Sequence, residues 1–121
     1  MNFCVCNWFP EQGGHLVAPS DLDSFAALRP NGKVFQCLGI QSGFLAVSYG
    51  GQLFHVSPEV MKAVPSPGYQ IGQEVVAKDS RAVVVDIEWH FKDSAPIYFL
   101  AFEGKRSSRR YSENELAVTP G

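Results

Sequence analysis

The sequence predicts a mainly β protein of the α+β class, and three observations carry that expectation. Residues 33–56 and 69–118 fall into short runs rich in β-branched and aromatic residues, punctuated by Gly, Pro, Asn and Asp. Within several of these runs apolar and polar positions alternate, as the two faces of a strand require. Clear helical spacing occurs in one place, around residues 20–28.

Taken in order, Phe3, Val5 and Trp8 lead to Pro10 and the Gly13-Gly14 pair, which reads as a short strand and a loop. Ser20 can cap the helix that follows, Asp21 and Asp23 suit its positive end, and Leu22, Phe25, Ala26 and Leu28 form its apolar face. Pro30-Asn31-Gly32 stops it. Runs at 33–40, 44–49 and 52–56 predict a three-strand β-meander, with Gly50-Gly51 as a two-residue hairpin turn. Residues 57–61 suit one helical turn, and Pro65-Ser66-Pro67-Gly68 interrupts all regular structure. The expected organisation is therefore 1–64 and 69–118, packed as one compact unit, because neither half has the apolar content to stand comfortably alone.

Beyond the boundary, residues 69–77 read as a loop leading into a strand, and residues 81–91 as a long strand. Strict alternation puts Val83, Val85, Ile87 and Trp89 on one face and Asp86, Glu88 and His90 on the other. Strands are expected again at 97–102, at 106–111 and at Leu116-Ala117-Val118. Five short strands in so little chain suit a small closed barrel.

Here the residues carry a resemblance. Ile71-Gly72, Glu74-Val75-Val76-Ala77, the valine-rich second strand, Tyr98-Phe99-Leu100 and the corner from Tyr111 to Leu116 resemble an SH3-like barrel of the Tudor or KOW kind. That likeness covers residues 69–118, and residues 33–64 would form a second, partial barrel. The wider pattern includes Ser20-Asp21-Leu22, Pro30-Asn31-Gly32-Lys33-Val34-Phe35, Trp89-His90 and Gly104-Lys105, and is similar to a small bacterial family of uncharacterised proteins. The resemblance implies a binding fold without naming a ligand, since such barrels host proteins, peptides, RNA and DNA alike.

Charge narrows the partners. Twelve acidic against ten basic residues leave a formal charge of −2, so the general attraction of a dedicated nucleic-acid binder is missing. No run is apolar enough to span a membrane, and the first residues lack the pattern of an export signal. Three cysteines, an odd number, lead to the expectation of a reducing, cytoplasmic setting without a structural disulfide.

Four constellations could carry chemistry. Lys105, Arg106, Arg109 and Arg110 concentrate basic charge just before Tyr111, a pattern suited to phosphates and a stacked base, or simply to a solvated hairpin. Trp89, Phe91, Tyr98, Phe99, Phe102 and Tyr111 could cage a methylated cation, or fill a core. Cys4, Cys6, His15 and Cys37 include zinc-ligand types, but the Cys-x-Cys spacing is unlike the usual Cys-x-x-Cys, so no metal is assigned. Trp89-His90 with Asp86, Asp93 and Ser94 offers acid–base types, yet no nucleophile elbow, phosphate loop or metalloprotease motif accompanies them. The sequence thus points to a non-catalytic module without a cofactor. It is expected to bind a protein or peptide through Trp89, His90, Tyr98 and Tyr111. Nucleic-acid binding through Lys105, Arg106, Arg109 and Arg110 is the alternative, and exposed sheet edges would permit a homodimer.

Overall fold

Tight turns with left-handed backbone organise both halves of the chain. The computed structural model describes residues 2–119, and the chain divides into two units between Ser66 and Pro67.

The N-terminal unit contains β1 (Asn2–Cys6), α1 (Leu22–Ala27), β2 (Val34–Gln41), β3 (Phe44–Tyr49), β4 (Gln52–Val56) and β5 (Met61–Val64). Its strands form one antiparallel sheet in the order β4-β3-β2-β1-β5. Gly50 and Gly51, at φ 56° and 86°, make the β3–β4 hairpin turn, where a Cβ would be strained. The three-strand meander is thus one side of a five-strand sheet, because β1 pairs onto β2 and β5 onto β1. Residues 61–64 escape a sequence reading because Met-Lys-Ala-Val is too short to show a period.

The core forms where the helix meets the sheet. Phe25, the buried residue of α1, lies 5.3 Å from Trp8, 5.8 Å from Phe35 and 5.2 Å from Phe54 between ring centroids. Each of these rings is fully buried, and burying a ring of this kind contributes about 2–3 kcal/mol. The helix begins differently from expectation. Asp21, not Ser20, is its N-cap, and no side chain caps it; the Asp21 carboxylate instead accepts the His55 backbone N–H at 2.8 Å.

The expectation of no disulfide is also corrected, since Cys4 and Cys37 are bonded. The β1–β2 register places Asn2 opposite Cys37 and Cys4 opposite Phe35, so the two cysteines are diagonal neighbours on one face. Their Cα atoms lie 6.5 Å apart, within disulfide reach. Strand pairing creates this proximity, and separation along the chain hides it. It also withdraws the support that unpaired thiols gave to a reducing compartment. Among the described residues no helix is long and apolar enough to cross a membrane.

The C-terminal unit contains β6 (Glu74–Ala77), β7 (Ser80–His90), β8 (Ala95–Phe102), β9 (Lys105–Arg106), β10 (Tyr111–Ser112) and β11 (Leu116–Val118). They form a second antiparallel sheet, β10-β8-β7-β6-β11, with β9 also on β8. β10 and β11 end that order without pairing to each other, so the sheet is open where a closed barrel was expected.

Two irregularities correct the strand readings. A bulge between Val84 and Asp86 shifts the β7–β8 register and inverts the alternation at Val85. Val84 is consequently buried and Val83 exposed, while Ile87 stays on the core side. The single strand expected at 106–111 is two, because Arg106 pairs with Ala101 but Tyr111 with Tyr98, which leaves excess chain between them. That excess is tied by the Ser107 N–H to Leu100 O at 2.8 Å and by the Arg109 N–H to Ser107 Oγ at 3.2 Å.

Candidate binding surfaces

In the N-terminal unit, the face of the sheet that carries Cys4 and Cys37 opens into a pocket of about 420 Å³, lined by Asn2, Phe3, Cys4, Cys37, Leu45, Met61, Ala63 and Val64. Alternation explains the lining. Cys4 and Ala63 are cross-strand partners, Asn2 stands opposite Cys37, and Val47 opposite Cys37 places Leu45 on the same face two residues earlier. The disulfide forms part of the wall, and Asn2 supplies an amide among mainly apolar groups. The third cysteine, Cys6, is a fully buried thiol, and burial pushes its pKa up to about 12. Cys6 is therefore a core residue without nucleophilic character at neutral pH.

Beside the pocket, β2 carries a bulge between Cys37 and Gly39. Leu38 and Ile40 are 48 % and 62 % exposed, a concentration of bare aliphatic surface. The opposite rim of this unit holds a polar group that the sequence does not reveal. His55 Nδ1 donates to Asp21 Oδ2 at 2.9 Å, and Nε2 lies 3.3 Å from Gln41 Oε1. No local motif announces the trio, because α1, β4 and the end of β2 bring it together.

The residues singled out in the C-terminal half do not share one surface. Tyr98 is fully buried, and its hydroxyl donates to Glu113 Oε1 at 2.6 Å; desolvation, then that carboxylate, pushes its pKa up. Tyr111, its cross-strand partner, is 5 % exposed. Both are core residues, which corrects their assignment to a binding surface. Trp89 stands opposite Pro96 and His90 opposite Ala95, on alternate faces of β7, and His90 Nδ1 lies 3.1 Å from Asp93 Oδ2.

Half of the basic cluster is engaged with the chain's own carboxylates. Arg106 pairs with the nearly buried Asp86 at 3.0 Å and lies 5.0 Å over the Phe99 ring. Arg109 pairs with Glu115 at 2.8 Å and lies 4.9 Å over Tyr111. Lys105 and Arg110 are exposed. Among the described residues no group of three or more His, Cys, Asp or Glu side chains gathers as a metal site.

Similarity to known sequences extends over both units. The family of unknown function DUF6960 matches residues 1–117. The chain belongs to that family. No curated protein and no solved structure matches it. Family membership therefore spans the pocket of the N-terminal unit as well as the strands of the second sheet, but brings no activity with it.

Proposed function

We propose that this chain is a non-catalytic module that binds a protein or peptide through the pocket of its N-terminal unit. The observation that carries this reading is the half-open apolar cavity of about 420 Å³ against the Cys4–Cys37 disulfide, where aliphatic walls and one amide converge. A space of this size accepts one or two aliphatic side chains, and its polar group can fix a neighbouring backbone. The alternative of nucleic-acid binding loses force because Arg106 and Arg109, half of the basic cluster, are paired with Asp86 and Glu115. We further read the C-terminal sheet as SH3-like. Its strand order, its bulged second strand and the 3₁₀ turn Glu113–Glu115 before the last strand support that reading.

The test is selection of a displayed peptide library against the purified protein, followed by titration of the selected peptides against wild type and Ala63→Trp. Ala63 is exposed on the pocket wall, so the indole fills the cavity without disturbing the core. The expected result is micromolar binders that lose about tenfold or more in affinity with the variant, the loss of one anchoring side chain. Equal binding to both proteins, or a library that yields nothing, refutes the reading.

A further inference from the structure

The two edges of the N-terminal sheet are treated differently. Residues 16–18 cover β4: Val17 bridges Val56, the Ala18 N–H donates to His55 O at 2.8 Å, and the Ser57 N–H donates to Leu16 O at 2.7 Å. With the Asp21 carboxylate on the His55 N–H, both outward backbone groups of His55 are taken, and the C-terminal end of this edge is closed to further pairing. β5, at the other end, pairs with β1 alone among the described strands.

The direction of the β5 backbone groups follows from the ladder. The Asn7 N–H donates to Val60 O at 2.7 Å, and the register continues through Val5 with Lys62 and Phe3 with Val64. Hydrogen-bonded pairs alternate with non-bonded ones in an antiparallel ladder, so Lys62 and Val64 bond to β1 while Met61 and Ala63 face outward. The Met61 N–H closes the 3₁₀ turn on Pro58 O. The outward groups left are the Met61 carbonyl and both groups of Ala63. The side chains of these same two residues line the pocket, and Lys62 lies between them on the opposite face.

We infer that β5 is the docking edge for an extended peptide that joins the sheet as a sixth strand, with an acidic residue between two aliphatic ones. This rests on the peptide-binding reading above and names its mode and its ligand chemistry. Residues paired with Met61 and Ala63 project on the pocket side, where apolar walls select aliphatic side chains. The residue between them faces Lys62, and a carboxylate there completes a cross-strand ion pair. A second copy of the chain is a worse occupant. Self-pairing centred on Lys62 sets two ammonium groups directly opposite each other. Centred on Ala63, it sets the Met61 carbonyl against Pro65, which has no N–H to give.

The probes are two acetylated, amidated peptides with the core valine–glutamate–valine or valine–lysine–valine between threonines, titrated by NMR into the full chain. The expected result is stronger binding of the glutamate peptide, slowed amide exchange at Ala63, and shifts along Met61–Val64 and Leu45. Lys62→Glu, a change at an exposed position, should lower affinity for the glutamate peptide about fivefold and raise it for the lysine peptide by a similar factor, as one reversed cross-strand charge pair demands. Unchanged peptide preference in the variant, shifts confined to other strands, or no binding of either peptide at millimolar concentration overturns the proposal. Ala63 protection that depends on protein concentration without peptide also overturns it, in favour of a dimer. If library-selected peptides still bind and Ala63→Trp still weakens them, the peptide-binding reading survives and only the strand-addition mode falls. If those peptides also fail, both fall.

Discussion

The Glu113 carboxylate is the structural tie on which the start of the C-terminal unit depends, and its removal has a calculable effect. Oε1 accepts the Tyr98 hydroxyl at 2.6 Å and the Gly68 N–H at 2.8 Å, while the Tyr98 oxygen itself accepts the Tyr69 N–H at 3.3 Å. One carboxylate thereby fastens the chain at 68–69 to β8. Glu113→Ala leaves a hydroxyl on a fully buried ring without an acceptor, costing about 1–3 kcal/mol, and adds about 0.5–1 kcal/mol for the exposed Gly68 bond. A total near 2.5 kcal/mol is a large part of what a unit of this size possesses. Tyr98→Phe removes the hydroxyl together with the need for an acceptor, so it should cost about 1 kcal/mol, and the double variant little more than Glu113→Ala alone. Gly68→Ala approaches the same tie from the other side, since its Cβ would lie 2.8 Å from the Glu113 carboxyl carbon and push it off both donors. The assay is urea unfolding followed by Trp89 fluorescence in a Trp8→Phe background, which reports on this unit alone. A Tyr98–Glu113 coupling below about 0.5 kcal/mol would refute the reasoning.

Further outcomes follow from the same geometry. Alkylation at pH 8 should leave the native protein unmodified, because Cys6 is buried with its pKa at about 12, and should add one group after unfolding but three after unfolding with reductant; three without reductant would deny the disulfide. Tyr98 keeps its proton above the ordinary phenol value of 10.0, so the folded state binds more protons than the unfolded one there. Its contribution is therefore complete below about pH 10 and declines as pH rises further, and absorbance at alkaline pH should show one phenol ionising only as unfolding proceeds; a phenol titration complete before unfolding would contradict this. Replacing Lys105, Arg106, Arg109 and Arg110 by serine should cost about 1–2 kcal/mol, since Asp86 is nearly buried while Arg106 is half exposed. Peptide affinity should stay unchanged in that variant, and lost affinity for single-stranded nucleic acid would instead revive the alternative function.

Local chemistry makes part of the fold legible in the sequence. β3 and β4 follow from alternation bounded by Gly50-Gly51, and β11 from a short apolar run behind a polar one. What escapes is whatever pairing decides. A bulge adds one residue to a strand without changing its composition, so Val83 and Val85 look like core when Val84 is. A disulfide across diagonal positions and an edge strand of four residues carry no periodic signature. The candidate site was less legible than the fold for the same reason. Trp89, His90, Tyr98 and Tyr111 attract attention by residue type, but type does not distinguish a ring that fills a core from one that faces a ligand. Apart from Asn2 and Phe3, the pocket is lined by a methionine, an alanine, a leucine, a valine and a cystine, which stand out only once β1, β2, β3 and β5 are in register.

The two units repeat one plan, and the place where they differ is the place where binding is proposed. From edge to edge the orders are β5-β1-β2-β3-β4 and β11-β6-β7-β8-β10. In each, the second strand in chain order carries a bulge, and the strand at one edge follows a 3₁₀ turn that starts after a serine, Ser57 or Ser112. The first two strands are joined differently. β6 and β7 meet through Lys78-Asp79, both in left-handed conformation, whereas residues 7–33 between β1 and β2 hold α1 and the segment that covers β4. That insertion supplies Phe25 to the core and covers the end of β4 at His55 and Val56, while β5 pairs with β1 alone among the described strands. β11, in the corresponding place, offers Leu116-Ala117-Val118, with no lysine to select a charge. The proposed docking edge thus combines a strand that pairs on one side only, a mid-strand lysine and a pocket beneath its outward residues, and on physical grounds a lysine at mid-strand discourages self-association while leaving a complementary strand free to pair.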